Sequence, residues 1–260
     1  MTIDSTYFII LVLAFFLVAF LYSSVGFGGG SSYLALLALV LTSFFVIRST
    51  ALICNLIVVS GSSFLYFKSG HLELRKCVPF VASSIPMAFI GAMFRLQEYQ
   101  FFILLGGTLV LTAIALVVQT LRLRGRLKTT RYSNWYSYGI GGGVGLLSGL
   151  IGIGGGIFLA PVLNYMKWGK PLQIAALASF FILVNSVSGI VGLVYSGTFE
   201  VLWPQMAILA IVVFLGGQLG VRLTLFKISS RLIRLFTALL VFFVGIRVML
   251  FNGFQIELFT

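Results

Sequence analysis

The sequence predicts an all-α polytopic membrane helix bundle built from two inverted repeats, and three observations lead to this prediction. First, 60% of the 260 residues are hydrophobic and 8% are charged, whereas soluble domains carry about 25% charged residues. Second, the apolar residues form ten segments, five on each side of a basic connector. Third, a run of glycines recurs once in each half.

The apolar segments are identified by length, because roughly 20 apolar residues cross a bilayer as a helix. No basic stretch precedes the first segment, so we expect it to be a retained membrane helix and not a signal peptide. We expect between eight and ten of the segments to lie in the membrane; their ranges are 6–25, 30–47, 49–67, 77–94, 99–120, 136–151, 155–166, 172–195, 203–222 and 232–251.

Three markers recur at nearly one offset, which predicts a tandem duplication. The runs GFGGG (26–30) and GIGGG (152–156) lie 126 residues apart, and the loops SGHLE (69–73) and SGTFE (196–200) lie 127 apart. Gly91 and Gly220 also correspond. The predicted organisation is a first membrane repeat at 1–120, a basic cytoplasmic connector at 121–134 and a second membrane repeat at 135–260.

The distribution of lysine and arginine predicts that the second repeat is inverted. With five alternating segments per half, fourteen of the 17 basic residues fall on the side of the connector, which the positive-inside rule assigns to the cytoplasm. The opposite side holds Arg48, Arg95 and Arg247. We therefore expect both termini on the outer side.

Two segments of the second half are too short for full crossings. Twelve residues at 1.5 Å each give about 18 Å, against a hydrocarbon core of roughly 30 Å. We expect 136–151 and 155–166 to form a re-entrant hairpin with the glycine run at its tip. The first pair of segments is longer, so the sequence indicates a hairpin less clearly there.

Each glycine run precedes a predicted helix, and this predicts an anion site. A helix N-terminus presents unpaired N–H groups, and glycines let an anion approach them closely. Serine and tyrosine hydroxyls lie nearby at Ser23, Ser24, Tyr33 and Ser148. The predicted substrate-binding residues are Gly26, Gly28, Gly29, Gly30, Ser31, Ser32, Gly152, Gly154, Gly155, Gly156, Asn55, Asn185 and Ser179.

The alternative interpretation of the glycines is helix packing, since small residues let membrane helices approach closely. We favour packing for the glycines of one segment, which are Gly139, Gly141, Gly142, Gly143, Gly145 and Gly149. For the two repeated runs we favour a binding site.

The few acidic residues all fall at segment ends or in loops, so the sequence predicts no sodium site or proton relay at mid-span. The candidates for gating or coupling are His71, Glu73 and Glu200, in the two repeated loops. The intramembrane amides Asn55 and Asn185 lie in corresponding segments, but the 127-residue offset places Asn55 against Ile182.

The sequence offers nothing for an enzyme, a metal or a cofactor. It has one histidine, no HExxH or P-loop motif and no clustered carboxylates. The two cysteines, Cys54 and Cys77, are expected to pack as small apolar residues. The net charge of +12 is explained by topology and does not predict nucleic-acid binding.

At its glycine runs the sequence resembles the sulfite exporter TauE/SafE family of membrane permeases. The residues that carry the resemblance are the runs 26–30 and 152–156, with Pro161 five residues after the second, and the two repeated loops. The resemblance implies a bacterial inner-membrane permease for sulfur-containing or organic anions such as sulfite, sulfoacetate or other sulfonates. The chain departs from the family pattern at Ala35, where the second repeat has Pro161, and at 176–180, which reads ALASF.

Three functions follow from these observations. The leading hypothesis is a secondary anion transporter, working by alternating access and exporting its substrate, whose partners are a small anion and the lipid bilayer. A passive anion channel is the alternative, because coupling residues are missing at mid-span. A non-transporting membrane scaffold would use the glycines for packing alone.

Overall fold

The computed structural model describes residues 5–38, 40–41, 43–94, 96–122, 132–225 and 230–250. These residues are helical apart from short turns. The helices are α1 (Ser5–Ser23), α2 (Gly30–Leu37), α3 (Phe44–Lys68), α4 (Leu74–Met93), α5 (Glu98–Arg122), α6 (Asn134–Ile151), α7 (Gly156–Tyr165), α8 (Pro171–Tyr195), α9 (Trp203–Leu225) and α10 (Ser230–Val248). Most of the predicted connector, residues 123–131, lies outside the described part of the chain.

The protein is a multi-pass membrane protein by the length and polarity of its helices. Five of them (α3, α4, α5, α8 and α9) are long and apolar enough to cross a bilayer on their described residues. Exposed aromatic side chains cluster at both ends of the bundle, as in the aromatic belts of membrane proteins. Trp135 and Tyr165 are exposed at one end, and Tyr195 and Trp203 at the other.

The first glycine run is the tip of a helical hairpin, which we call hairpin 1 (α1, residues 24–29 and α2). Gly26 and Gly29 have φ angles of 86° and 89°, a left-handed conformation that side chains other than glycine rarely adopt. The two helices run antiparallel, since the rings of Phe15 and Tyr33 stack with centroids 4.6 Å apart. Phe8 and Leu37 line one small cavity at the open end.

The second glycine run forms hairpin 2 (α6, residues 152–155 and α7), with left-handed glycines at the two equivalent positions and a third at Gly154. Gly152 and Gly155 both have a φ of 80°. Phe80 of α4 lies against Gly141 of α6, and its ring lies 5.8 Å from that of Trp168, three residues past the end of α7. A helical hairpin is therefore present in the second half, and hairpin 1 has an even shorter second arm.

The apolar segment predicted at 30–47 is two pieces in the structure. Helix α2 ends at Leu37, and α3 begins at Phe44 after the extended Ser43. Arg48 consequently lies inside α3 and is 3% exposed. Its placement in an outer loop was wrong, because one continuous apolar stretch concealed the helix boundary.

Seams of glycine attach each hairpin to a long helix. Gly141, Gly145 and Gly149 of α6, spaced one turn apart, pack on the backbone of Phe80, Ser84 and Ala88 in α4. On the other side, Gly216 and Gly220 of α9 pack on α1 at Phe16 and Phe20. The packing role predicted for the α6 glycines is confirmed at these three contacts, whereas Gly139 and Gly143 face open space.

The two long helices α3 and α8 run antiparallel through the centre. Asn55 of α3 meets Ser186 of α8 at 3.3 Å, and Ser49 accepts a hydrogen bond from the backbone N–H of Glu200. One end of the bundle, the connector end, holds the loop of Glu73, which contacts Gln173. The other, the terminal end, holds Ser43 and Glu200. Hairpin 1 opens towards the terminal end and hairpin 2 towards the connector end.

Contacts between helices repeat from one half to the other. Each pair of helices in extensive contact among the described residues has a counterpart when α1–α5 are exchanged for α6–α10 in order. The α4–α6 contact corresponds to α9–α1, and α4–α8 corresponds to α9–α3, while α3–α8 and α5–α10 map onto themselves. The loop glycines also match, since Gly70 and Gly197 have φ angles of 69° and 68°. This correspondence is what a duplicated unit produces.

Candidate functional site

The two glycine runs meet beside the middle of α3 and α8. A Cβ built on Gly30 would lie 3.2 Å from the Asn55 side chain and 3.3 Å from the carbonyl oxygen of Ile153. A Cβ built on Gly154 would lie 2.5 Å from the Ile182 side chain, and one built on Gly156 would lie 2.4 Å from it. A larger residue at Gly154 or Gly156 would force its neighbours to move, and one at Gly30 would be tightly packed, so the glycines let the tips of both hairpins come together.

Asn55 joins the two hairpins through one amide side chain. Its Oδ1 accepts a hydrogen bond from the N–H of Gly30, at the N-terminus of α2, over 3.3 Å. Its Nδ2 donates to the carbonyl of Ile153 at 2.7 Å and to the hydroxyl of Ser186 at 3.3 Å. Because Asn55 is fully buried, these bonds replace those it would make to water. Asn55 thus lies at the predicted site.

Asn185 makes no hydrogen bond to either glycine run among the described residues. Its Nδ2 donates to the carbonyl of Phe181 in its own helix, and its buried Oδ1 has no partner among the described residues. Ile182 occupies the position equivalent to Asn55 and contacts the second glycine run. The two asparagines therefore do not form a symmetric pair across the repeat.

Backbone donors converge at the start of α7. The N–H groups of Gly154, Gly155, Gly156 and Ile157 donate to no carbonyl or side chain in the described part of the chain, and all four residues are buried. The helical hydrogen bonds begin at the carbonyl of Gly155, which accepts from the N–H groups of Phe158 and Leu159. Free, oriented N–H groups at a helix N-terminus favour an anion.

At hairpin 1 the polar groups are side-chain hydroxyls. Tyr22 bonds the hydroxyl of Ser32 at 2.7 Å and accepts a hydrogen bond from Ser31 at 3.4 Å. The buried hydroxyl of Tyr33 has no partner among the described residues and lies 3.0 Å from a Cβ built on Gly29. Tyr22 was missed at the sequence level, although it precedes the glycine run by one helical turn.

Ser179 and Ala175 of α8 contact the tip of hairpin 1. The Ser179 hydroxyl donates to the carbonyl of Gly26 at 2.9 Å. A Cβ on Gly26 would lie 2.6 Å from the Ala175 Cβ. The predicted residue Ser179 therefore lies with the first glycine run and contacts its backbone.

The loops of the gating candidates lie at opposite ends of the bundle. The carboxylate of Glu73 accepts a hydrogen bond from Gln173 at 2.7 Å and pairs with Lys76 at 2.7 Å. The carboxylate of Glu200 accepts from Ser43 at 3.3 Å. His71 keeps its Nδ1 buried without a partner in the described chain. Each loop thus ties one repeat to the long helix of the other.

Arg48 is a polar residue at this centre that the sequence did not identify. Its guanidinium donates to the carbonyl of Gly149, near the end of α6, and its Nε has no partner among the described residues. The side chain lies along the second glycine turn, with Nε 3.3 Å from a Cβ built on Gly152. The repeat offset places Ala175 at the equivalent position.

No group of three or more histidine, cysteine or acidic side chains comes together among the described residues. Cys54 and Cys77 are buried free thiols in different helices. The polar groups of the centre are hydroxyls, amides and one guanidinium, and these suit an anion better than a metal ion.

The comparison with known proteins agrees with this architecture. The profile of the sulfite exporter TauE/SafE family matches residues 11–248. The chain belongs to this family. It is also 30% identical over 241 residues to the probable membrane transporter protein y4hK of Sinorhizobium fredii (strain NBRC 101917 / NGR234), covering 92% of this chain and 97% of that protein. No solved structure matches the chain significantly. The protein is a membrane transporter of the TauE/SafE family and not an enzyme.

Proposed function

We propose that the protein is a secondary transporter that holds a small oxyanion between its two glycine hairpins. The observation that carries this proposal is the meeting of both hairpin tips at mid-depth, where Asn55 bonds to each. Transporters with inverted repeats bind substrate at such a midplane junction, where broken helices present their N-termini to an anion. The unpaired N–H groups at the start of α7 fit this role.

The two halves are inverted relative to each other across the membrane. Hairpin 1 opens at the terminal end and hairpin 2 at the connector end, in accordance with an odd number of crossings per half. The basic residues of the sequence concentrate at the connector end, so that end faces the cytoplasm. The protein thus lies in a bacterial inner membrane, with both termini outside and the repeats at 1–120 and 135–260.

The substrate is sulfite, as the family name suggests, or a related anion such as sulfoacetate or another sulfonate. Neutral hydroxyls and amides at the centre bind such anions without holding them irreversibly. An anion that leaves a negative interior gains about 2.3 kcal/mol per charge per 100 mV. Export is therefore the favoured direction without any coupling ion.

Alternating access moves one repeat against the other about this centre. The loops with Glu73 and His71 at one end and Glu200 at the other connect the repeats, and we assign them to gating. Among the described residues every glutamate is exposed, so the centre has no carboxylate for sodium or proton coupling. This absence favours a second candidate function, a passive channel for the same anions.

Flux into proteoliposomes tests the proposal. Purified protein should carry sulfite, methanesulfonate or sulfoacetate faster than empty vesicles do, with saturation. Preloading with unlabelled substrate should accelerate uptake by counterflow, whereas a channel would show none. If all three anions cross no faster than in empty vesicles, transport of this substrate class is refuted.

A further inference from the structure

We propose that Arg48 provides the charged half of the anion site and that the site lies at the second glycine turn, off the symmetry centre. This inference rests on the transport function above and specifies where the substrate is held. The group it identifies is a guanidinium, which pairs with two oxygens of one oxyanion in a bidentate arrangement. The ligands are therefore sulfite, sulfonates and carboxylates, and not halides.

Arg48 is buried without an acidic partner among the described residues. The side chain is 97% buried, as its relative exposure is 3%, and it lies inside α3 about one turn from the start of that helix. No carboxylate forms an ion pair with it in the described part of the chain. A charge within a membrane helix is costly unless it is neutralised, and such residues generally mark a substrate pathway.

Arg48 lies against the turn that leads to the free backbone donors of hairpin 2. The side chain runs beside Gly152, with Cγ at 2.9 Å and Nε at 3.3 Å from a Cβ built there. The buried N–H groups that follow, from Gly154 to Ile157, have no acceptor among the described residues. The buried hydroxyl of Ser148, beside Gly155, also has none. A single anion would satisfy several of these groups at once.

Arg48 also has a structural role, because it donates to the carbonyl of Gly149 and so caps the end of α6. In hairpin 1 the equivalent carbonyl, that of Ser23, accepts a hydrogen bond from the N–H of Gly26, so no cation is needed there. The cap engages one terminal nitrogen of the guanidinium, whereas the buried Nε has no partner among the described residues. The guanidinium therefore retains donors for an anion beside the cap.

The test compares three variants of the full-length protein in detergent and in proteoliposomes. Arg48→Gln removes the charge, Arg48→Lys keeps the charge without the planar fork, and Arg247→Gln removes an exposed arginine from the same end of the bundle. Two quantities are measured: the rise in melting temperature caused by sulfite or methanesulfonate relative to chloride, and the KM for sulfite flux.

We expect Arg48→Gln to lose the anion-dependent rise in melting temperature and to raise KM roughly tenfold to a hundredfold, as befits a lost charge-assisted hydrogen bond. Arg48→Lys should keep part of the binding but discriminate less against chloride, and Arg247→Gln should behave as the wild type. If Arg48→Gln does not fold, a several-fold increase in KM for Arg48→Lys supports the site.

An unchanged KM and an unchanged anion effect in Arg48→Gln, or in Arg48→Lys when only that variant folds, would overturn the proposal while leaving transport intact. Absence of flux in the wild type would refute the transport function instead. In that case, stabilisation of the wild type by sulfite but not of Arg48→Gln would still support the anion site.

Discussion

The two glycine hairpins share left-handed glycines at two positions and differ in the side chains that face them. They also differ at a third position, since Gly154 is left-handed and Gly28 is not. Both turns have left-handed glycines at equivalent positions, 26 with 152 and 29 with 155. The tip of hairpin 1 faces Ala175 and the hydroxyl of Ser179, whereas the tip of hairpin 2 faces the guanidinium of Arg48. The two turns thus have corresponding glycines, as a duplicated unit produces, but different polarity.

The attachment of the hairpins differs in the same way. In hairpin 2 most glycines of the seam belong to the hairpin helix α6, and the partner helix α4 adds Gly91, which packs on Leu146 and Leu150. In hairpin 1 the seam glycines belong to the partner helix α9. Both arrangements let backbones approach closely. The requirement is therefore a small residue at the contact, whichever helix supplies it.

The largest effect on stability should come from filling these seams. A Cβ on Gly145 would lie 2.6 Å from the Ser84 backbone, and one on Gly220 would lie 2.1 Å from the Phe20 carbonyl. Valine at either position should lower the free energy of unfolding by about 3 kcal/mol or more, since the helices must separate. Gly143→Val on the same helix α6 faces open space and should cost under about 1 kcal/mol. Unfolding in SDS measures all three, and equal losses in Gly143→Val and Gly145→Val would contradict the packing.

The two turns themselves should respond unequally to alanine. Both Gly26→Ala and Gly152→Ala incur the left-handed strain of about 1–2 kcal/mol. At Gly26 the new Cβ also strikes the backbone of Ala175, whereas at Gly152 it meets only the side chain of Arg48. Gly26→Ala should therefore be less stable by a further 1–3 kcal/mol or so, and Gly152→Ala should mainly raise the KM for anion flux. If thermal melting shows Gly152→Ala to be less stable than Gly26→Ala, the close contact of Gly26 with Ala175 is contradicted.

The next largest effect is expected from replacing the two buried asparagines. Asn55→Leu leaves the Gly30 N–H and the Ile153 carbonyl without their partner, and should cost about 1–3 kcal/mol as well as most of the flux. Asn185→Leu loses one bond within its own helix and should cost under about 1 kcal/mol with flux retained. The melting temperature and the anion flux of both variants are measured. A comparable loss of flux in the two variants would place Asn185 in the substrate pathway.

The smallest effects belong to the loop carboxylates. Glu73→Gln and Glu200→Gln alter exposed groups, so each should change the free energy of unfolding by less than about 1 kcal/mol. As gating residues they should change the maximal rate about twofold to threefold and leave KM unaltered. Initial-rate kinetics in proteoliposomes separate the two parameters. Complete loss of flux in either variant would point to ion coupling and would contradict export without it.

The glycine markers of the predicted repeat are readable in the sequence because they are backbone requirements. Positive φ angles at Gly26, Gly70, Gly152 and Gly197 demand glycine, so these residues recur at a constant offset. The end of α2 at Leu37 was not predictable, since apolar residues continue past it and give no periodic signal. Asn185 was aligned with Asn55 by residue type, although the offset already favoured Ile182.

Arg48 shows what composition and topology rules miss. It was assigned to a loop because charged residues mark segment ends in most membrane proteins. In the structure apolar segments on both sides of it form one helix, and its charge is buried. An arginine between two apolar stretches, with Ala175 as its repeat partner, was the available signal. Its contact with a turn more than 100 residues away depends on tertiary packing.

The most direct test of the inverted arrangement compares Ser69 and Ser196, which end α3 and α8 at equivalent positions. Each is changed to cysteine in a background where the buried Cys54 and Cys77 are alanine, and intact cells are treated with a membrane-impermeant thiol reagent. The two hairpins enter from opposite faces, so Ser196→Cys should be labelled from outside and Ser69→Cys only after permeabilisation. Labelling of both from the same side would contradict the inverted repeat and the anion site built on it.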